Sequence, residues 1–248
     1  MNGLKRSLEL FSAFRREGTD PAAFYRLLAE DTVREASRYS EPAGARILDV
    51  GGASGYVADA FRGVGAWAAT AEYDAGQMRE HGRRLLNGLG GDGCALPVRS
   101  NSVDICHSSN VLEHVRSPER MLAEMVRVVR PGGIVYVTFT NWLSPWGGHE
   151  TSPWHYFGGE WSAKRFAQRH GREPKNRFGV TLFPLSVATV LQWARACPDA
   201  VLLEAFPRYY PRWTKDLVRI PAPVSYTHLD VYKRQAHDRV PGASARGQ

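Results

Sequence analysis

Residues 47–55 read Ile47-Leu48-Asp49-Val50-Gly51-Gly52-Ala53-Ser54-Gly55, and the order of residue types in them decides the fold. Ile47 to Val50 is a short apolar strand carrying one acid. It breaks into a loop of small residues, and a helix-compatible run from Tyr56 to Arg62 follows at once. Strand, glycine-rich turn and helix N-terminus together make a nucleotide-type site. Small residues let the backbone approach a ligand closely, and the helix end offers unpaired N–H groups. Asp49 then selects among ligands: a carboxylate beneath the loop repels a pyrophosphate and attracts a cationic amino-acid group.

The dinucleotide alternative fails on the letters. A GxGxxG fingerprint counted from Gly51 needs glycine at 53 and Gly or Ala at 56, where the chain has Ala53 and Tyr56. The pattern [DE]xGxGxG fits Asp49, Gly51 and Gly55, with Ala53 at the middle glycine, a substitution that a negative φ would accommodate. S-adenosylmethionine, with an ammonium, a sulfonium and no phosphate, suits such a loop. The plainer alternative is a tight strand–helix turn without a ligand.

Further pieces follow in order. Ala66 to Ala71 reads as a second strand with Glu72 at its end. An acid about 20 residues beyond a glycine loop is placed to accept from both hydroxyls of a ribose. Gly91-Asp92-Gly93 offers a carboxylate for an adenine amino group and a close backbone. Residues 102–109 form a strand that leads into Asn110-Val111-Leu112-Glu113-His114-Val115. A helix over 118–129 is stopped by Arg130-Pro131-Gly132-Gly133, and 134–140 is a β-branched, buried strand.

With these segments in view, the chain resembles the class I S-adenosylmethionine-dependent methyltransferases, in particular the type 11 group. The resemblance rests on LDVGGASG (48–55), Glu72, GDGCALP (91–97), VDICHSSNVLEHV (103–115) and RPGG (130–133). The stretches GGHE (147–150), HYFGG (155–159), HGREPKN (170–176) and FPRYYPRW (206–213) are similar to an actinobacterial branch of that group, over nearly the whole chain to about residue 221. The resemblance implies an α/β, doubly wound, mainly parallel, Rossmann-like sheet of seven strands, the seventh antiparallel between the fifth and sixth. It also implies that Asp49, Gly51, Gly52, Ala53, Gly55, Glu72, Tyr73, Asp92, Gly93, Asn110 and Val111 bind the cofactor. Strands alternating with helices independently argue such a sheet, with ligands at the strand carboxyl ends.

Three parts are expected: a helical cap over 1–43, the methyltransferase domain over 44–223, and a tail over 224–248. In the cap, Asp20-Pro21 starts the second helix, and Arg34 and Tyr39 are expected near the cofactor pocket. The tail begins VSYTHLDVYKRQ (224–235), resembles an adapter-derived read-through, and continues without hydrophobic period. It is expected to be non-native or disordered, leaving the domain without its last strand. The plainer alternative is a genuine disordered tail.

Composition fits one globular domain: 248 residues, 43% hydrophobic, can bury a full core. Three widely spaced cysteines, Cys94, Cys106 and Cys197, point to a reducing compartment and no metal ribbon. Residues 1–14 are amphipathic without a continuous apolar stretch, so they do not read as a secretory signal, and no apolar run is long enough to span a membrane. A cytoplasmic protein is expected. The net charge is +7; removing 224–248 takes away four Lys/Arg and two Asp and leaves +5. Basic residues gather at Lys164, Arg165, Arg169, Arg172, Lys175 and Arg177. They read either as a site for an anionic substrate or membrane surface, or as a solvated face. Nucleic acid is disfavoured: neither an Asn/Asp-Pro-Pro-Tyr motif after the fourth strand nor a Pro-Cys nucleophile is present.

The insertion 141–183 is where the acceptor is expected. Trp142, Trp146, Trp154 and Tyr156 are candidate substrate contacts, as pocket wall or lid, or else local packing or a subunit interface. His149 and His155 are candidate general bases, since methyl transfer is an in-line displacement whose nucleophile must lose its proton. They are six apart with Pro153 between them, so they cannot share a helix face as metal ligands, and no metal site is expected. Glu113 and His114 read as pocket lining or structure. The functional expectation is methyl transfer to the O, N or C of a small-molecule or lipid-like acceptor. Phe206 to Trp213 has the aromatic–basic mix of a peripheral membrane anchor. The alternatives are a cofactor-binding regulator or scaffold without turnover and, behind it, a nicotinamide-dependent oxidoreductase.

Overall fold

The computed structural model describes residues 3–53, 55–74, 76 and 86–211, and the backbone of 228–235. Two helices lead, α1 (Gly3–Arg15) and α2 (Pro21–Ala36). Asp20 caps α2 by accepting from Ala23 N–H at 3.0 Å, and Pro21 opens the helix without losing a bonded N–H. Strand β1 (Arg46–Val50), helix α3 (Tyr56–Gly63) and strand β2 (Trp67–Glu72) follow as the first βαβ unit. Then come β3 (Gly88–Gly90), β4 (Val103–Ser109), α4 (Pro118–Val128), β5 (Val129–Thr140), α5 (Gly159–His170), α6 (Val187–Ala196), β6 (Ala200–Pro207) and β7 (His228–Gln235). Among the described residues, short 3-10 turns lie at Leu112–His114, His149–Thr151 and Trp154–Phe157.

The strands form one sheet in the order β3-β2-β1-β4-β5-β7-β6. The first five run parallel, and β7 is antiparallel to both β5 and β6. The order reverses beside β1, where β2 and β4 flank it, and a doubly wound sheet opens a crevice at such a point. Alternation within the strands sends side chains to two cores. Leu48, Val50, Cys106, Val135 and Val137 pack with Met121, Met125 and Leu191 on one face. Ile47, Ile105, Ile134 and Phe206 pack with Val33, Ala58 and Phe61 on the other.

The missing seventh strand is a correction. His228–Gln235, inside the segment expected to be non-native or disordered, fills that place and pairs with β5 from Ile134 to Thr140 and with β6 from Ala200 to Pro207. The gap between β5 and β6 presents two unpaired edges, so any strand-compatible segment that enters satisfies main-chain groups on both sides. HLDVYKRQ carries Leu, Val and Tyr and has no Gly or Pro, which suffices. The segments 224–227 and 236–248 lie outside the described residues. Strand β3 went unread because Gly88-Leu89-Gly90 has no apolar pattern; it is held by pairing with Thr70–Glu72.

A buried polar network ties the cap to the sheet. Arg6 makes a two-pronged ion pair with Asp31 (2.7 and 2.6 Å) and donates to the Arg208 carbonyl at 3.0 Å. Arg208, itself fully buried, donates to Thr32 Oγ1 (2.9 Å) and to the Tyr136 hydroxyl (2.7 Å). Phe206, Arg208 and Tyr209 are therefore interior residues, which corrects the membrane-anchor reading for that half of the segment; Arg212 and Trp213 lie outside the described residues. Among the described residues no helix is long and apolar enough to cross a membrane.

Candidate active site

A cleft of about 1400 Å3 opens at the carboxyl ends of β1, β2 and β4, against the start of α3. Its floor is the glycine loop. Gly51 has φ +71°, and a Cβ there would stand 2.4 Å from Val111 Cγ2. A Cβ on Gly52 would stand 2.1 Å from Asp49 Oδ2. Both positions therefore require glycine, one for conformation and space, the other for space. Gly55 caps α3 in the left-handed region at φ +76°. Ala53 departs from expectation: its φ is +41°, not negative. The strain is held by a hydrogen bond from Ala53 N–H to Glu72 Oε2 at 3.1 Å.

Glu72 anchors the loop from β2. Its other oxygen, Oε1, accepts from the N–H groups of Tyr73 (2.9 Å) and Asp74 (3.2 Å). Tyr73 is largely exposed at the rim. Asp92 accepts from Cys94 N–H at 2.8 Å across a tight turn, and Gly93 lies against Met121 and Val50. Asn110, at φ +55°, donates its N–H to the Thr138 carbonyl (3.0 Å), and its buried Oδ1 has no hydrogen bond. Val111 covers Gly51. The described cofactor candidates thus converge on one wall of the cleft, and all of them except Gly55 line it.

His107 was not anticipated. Asp49 and His107 are register partners on β1 and β4, and His107 pairs in turn with Tyr136 on β5. His107 Nδ1 lies 2.7 Å from Asp49 Oδ1, with both residues buried. The His107 ring meets Tyr136 edge-on at 5.2 Å. Asp49 Oδ2 and His107 Nε2 are buried without hydrogen bonds. The signal was available: His107 follows the buried Ile105 by two, the period that puts it on the Asp49 face.

The opposite wall mixes the cap and the insertion. Phe14, Glu17, Phe24, Tyr25 and Leu28 line it from α1 and α2, with Tyr25 stacked on Tyr56 at 5.8 Å. Trp146 closes against Phe11 and Phe14. Arg34 and Tyr39 do not reach the cleft: Arg34 pairs with Asp31 and Tyr39 bonds to Glu204. Of the four aromatic candidates only Trp146 lines the cleft. Trp142 packs on His155 and Phe178, Tyr156 donates its hydroxyl to the Leu143 carbonyl, and Trp154 carries Arg165 over its ring at 4.2 Å.

The two histidine candidates separate. His155 is buried under the insertion, its Nε2 bonded to the Trp142 carbonyl at 2.9 Å, away from the cleft lining. His149 lines the cleft, at φ +49°, beside His114 with ring centroids 5.1 Å apart. Burial, reinforced by the neighbouring His114, lowers the His149 pKa to about 4. Beneath them Glu113 is buried; Oε1 accepts from Thr140 N–H at 3.0 Å. Burial pushes its carboxyl up, against His114 and the Thr140 bond. Glu150 accepts from Asn176 Nδ2 at 3.0 Å and fixes the Lys175–Asn176 segment of the basic cluster at the cleft edge.

A doubly wound sheet with an antiparallel seventh strand, a glycine loop over a strand-end acid and a second acid on β2 define a class I, Rossmann-like methyltransferase of the S-adenosylmethionine type. The methyltransferase domain model of the type 11 group matches residues 48–137. A protein of Mycolicibacterium gilvum named "Uncharacterized methyltransferase" is 46% identical over 228 residues, covering 88% of this chain and 89% of that one. A protein of the same description from Mycobacterium marinum is 45% identical over 228 residues, with the same coverage. The chain belongs to the type 11 methyltransferase family. Among solved structures, an S-adenosylmethionine-dependent methyltransferase from Mesorhizobium loti superimposes with TM-score 0.57 at 18% identity, covering 84% of this chain and 98% of that one. The [4+2]-cyclase SpnF superimposes with TM-score 0.53 at 16% identity, over 84% of this chain and 82% of that one. At such identities the likeness concerns the fold alone.

Proposed function

We propose that the chain transfers the methyl group of S-adenosylmethionine to a small-molecule or lipid-like acceptor that enters between Trp146 and His149. The observation that carries this reading is Asp49: one carboxylate oxygen is held by His107, the other is buried, unbonded and directly beneath Gly52. An acid at the loop floor opposes a phosphate and suits the cationic amino-acid end of this cofactor. Gly51 and Gly52 leave the cradle open where a Cβ would fill it. Glu72 keeps lone pairs for the ribose hydroxyls beyond the three N–H bonds it accepts. Asp92 and Gly93 flank the adenine, Tyr73 covers it from the rim, and Asn110 and Val111 border the methionine part.

The bound cofactor supplies an electrophilic methyl carbon on a positively charged sulfur. The protein supplies position and dryness. Phe14, Phe24, Tyr25 and Trp146 exclude water from the acceptor side, and holding both reactants in line replaces an encounter by a near-attack geometry. His149 lines the cleft with its Nε2 buried and without a hydrogen bond. With its pKa at about 4 it is a weak base, so in the cation-free chain it orients an acceptor proton more than it removes it. The decisive experiment is calorimetric titration of S-adenosylmethionine and S-adenosylhomocysteine, with Glu72→Ala and the milder Glu72→Gln beside it. Micromolar binding weakened by both variants is expected. A folded protein that binds neither ligand overturns the reading. Binding without methyl transfer across a broad acceptor panel transfers it to a non-catalytic cofactor-binding regulator or scaffold.

A further inference from the structure

We infer that Glu113, His114 and His149 form a divalent-cation site at the acceptor end of the cleft. One ligand-type atom from each of the three lies within 4.8 Å of the others. Three carboxylate and imidazole ligands at about 2.0–2.2 Å from a common ion stand about 3.3–3.8 Å from one another, so closure asks the side-chain ends to draw in by at most about 1.5 Å. The fold assembles this set from three places. Glu113 and His114 are consecutive in the turn after β4, and His149 comes from the insertion after β5. The sequence reading set aside His149 and His155 as joint metal ligands and expected no metal site; the structure places His114 beside His149.

Two independent features point to a ligand. Glu113 is 1% exposed, and while Oε1 is held by Thr140 N–H, Oε2 is buried with no hydrogen bond. His149 Nε2 is likewise buried with no hydrogen bond, on a residue in the left-handed region. Orphaned buried polar atoms and a strained non-glycine backbone are costly unless a ligand uses them. The third residue is already oriented. His114 Nδ1 lies 2.6 Å from the Thr181 carbonyl, which can only accept, so Nδ1 carries the hydrogen and Nε2 keeps the lone pair. A backbone carbonyl holding the far nitrogen is the arrangement that fixes metal-bound imidazoles.

Two imidazoles and one carboxylate suit zinc, iron(II) or manganese(II) and leave coordination positions for water or substrate. His114 and His149 both line the cleft that holds Asp49 and Gly51, so those open positions face the acceptor. The role of the ion rests on the methyltransferase reading; the site itself does not. Bound to such an ion, an acceptor hydroxyl loses its proton to solvent at neutral pH. The oxygen then attacks the methyl carbon; the O–C bond forms as the C–S bond breaks, and the bonding pair goes to sulfur. The acceptor class that fits is an oxygen nucleophile with a second adjacent oxygen able to chelate, as in a vicinal diol, a catechol or an α-hydroxy acid.

The test is titration of the chelator-treated full chain with Co2+, read by its visible d–d absorption, and with Zn2+ in competition. One-to-one binding is expected, weakened at least about tenfold by His114→Asn, His149→Asn and Glu113→Gln. His155→Asn should bind as the parent does. Glu113→Gln keeps an acceptor for Thr140 N–H, and near-ultraviolet circular dichroism identifies any variant that misfolds. A folded chain that takes up no Co2+, Zn2+ or Mn2+ at millimolar cation overturns the site. So does binding that the three variants leave intact. S-adenosylmethionine titrated into the same chelator-treated sample separates the two readings: cofactor binding without cation binding sinks this site alone, and cation binding without cofactor binding removes only its proposed role.

Discussion

His107 Nδ1 sits 2.7 Å from Asp49 Oδ1 across the β1–β4 register, and the two residues are 0% and 1% exposed. The acid beneath the glycine loop is thereby positioned by a neighbour in the sheet and not by solvent. Replacing His107 with alanine leaves Asp49 buried without a partner. Unfolding in urea should then show a loss of about 1–3 kcal/mol, the penalty for an orphaned buried polar group. An unchanged midpoint would mean that this hydrogen bond contributes nothing to folding.

Ala53 holds a left-handed backbone that glycine adopts without strain. Ala53→Gly is expected to stabilise the chain by about 1 kcal/mol and raise the melting temperature by roughly 2–4 °C. Differential scanning calorimetry of the pair is the check, and a lower melting temperature would contradict the strain.

His149 imposes a pH dependence on the cation-free chain. Its folded pKa of about 4 lies below the ordinary 6.5, so between these values the unfolded chain binds the proton that the folded chain refuses. Its contribution is complete above pH 6.5 and is lost as pH falls toward 4. Denaturant midpoints for the parent should drop more steeply across this window than those for His149→Asn. His114, Glu150 and His155 are common to both proteins, so parallel profiles would show that burial does not shift His149.

Strand β7 closes the gap between β5 and β6. A chain ending at Pro223 exposes both edges and should melt lower and self-associate. Sedimentation velocity decides it. A truncated chain that stays monomeric, with the parent's melting curve, would show that His228–Gln235 is dispensable.

The convergence of the cofactor candidates was legible because its logic is local. Asp49, the glycines and Glu72 sit at strand ends that hydrophobic runs reveal, and the family resemblance singles them out as cofactor candidates. The opposite wall was legible only in part, through Trp146, His149 and His114, because it is built by tertiary contact. His114 and His149 come from different loops, and neither sequence distance nor helical period brings them together. The cap's contribution was misplaced for the same reason: Arg34 and Tyr39 looked suitable as polar residues near a pocket, whereas Phe14, Phe24 and Tyr25 are the ones the helix packing turns inward. The tail was judged by what its letters resemble; two open strand edges respond only to backbone and propensity.

The link from Arg6 to the Arg208 carbonyl, 202 positions apart, has a consequence for synthesis. Chains emerge N-terminus first, at about 5–20 residues per second. Helices α1 and α2 leave the ribosome early, and α2 can dock as soon as the first βαβ unit follows, since Val33 packs with Ile47, Ala58 and Phe61. The small core of the cap, with Leu10, Phe24 and Leu28, lacks its last member until Tyr209 appears. The wall that Phe14 gives to the cleft, packed on Tyr209, is thus among the last things completed. A nascent chain can own its glycine loop for many seconds before it owns a place to put an acceptor.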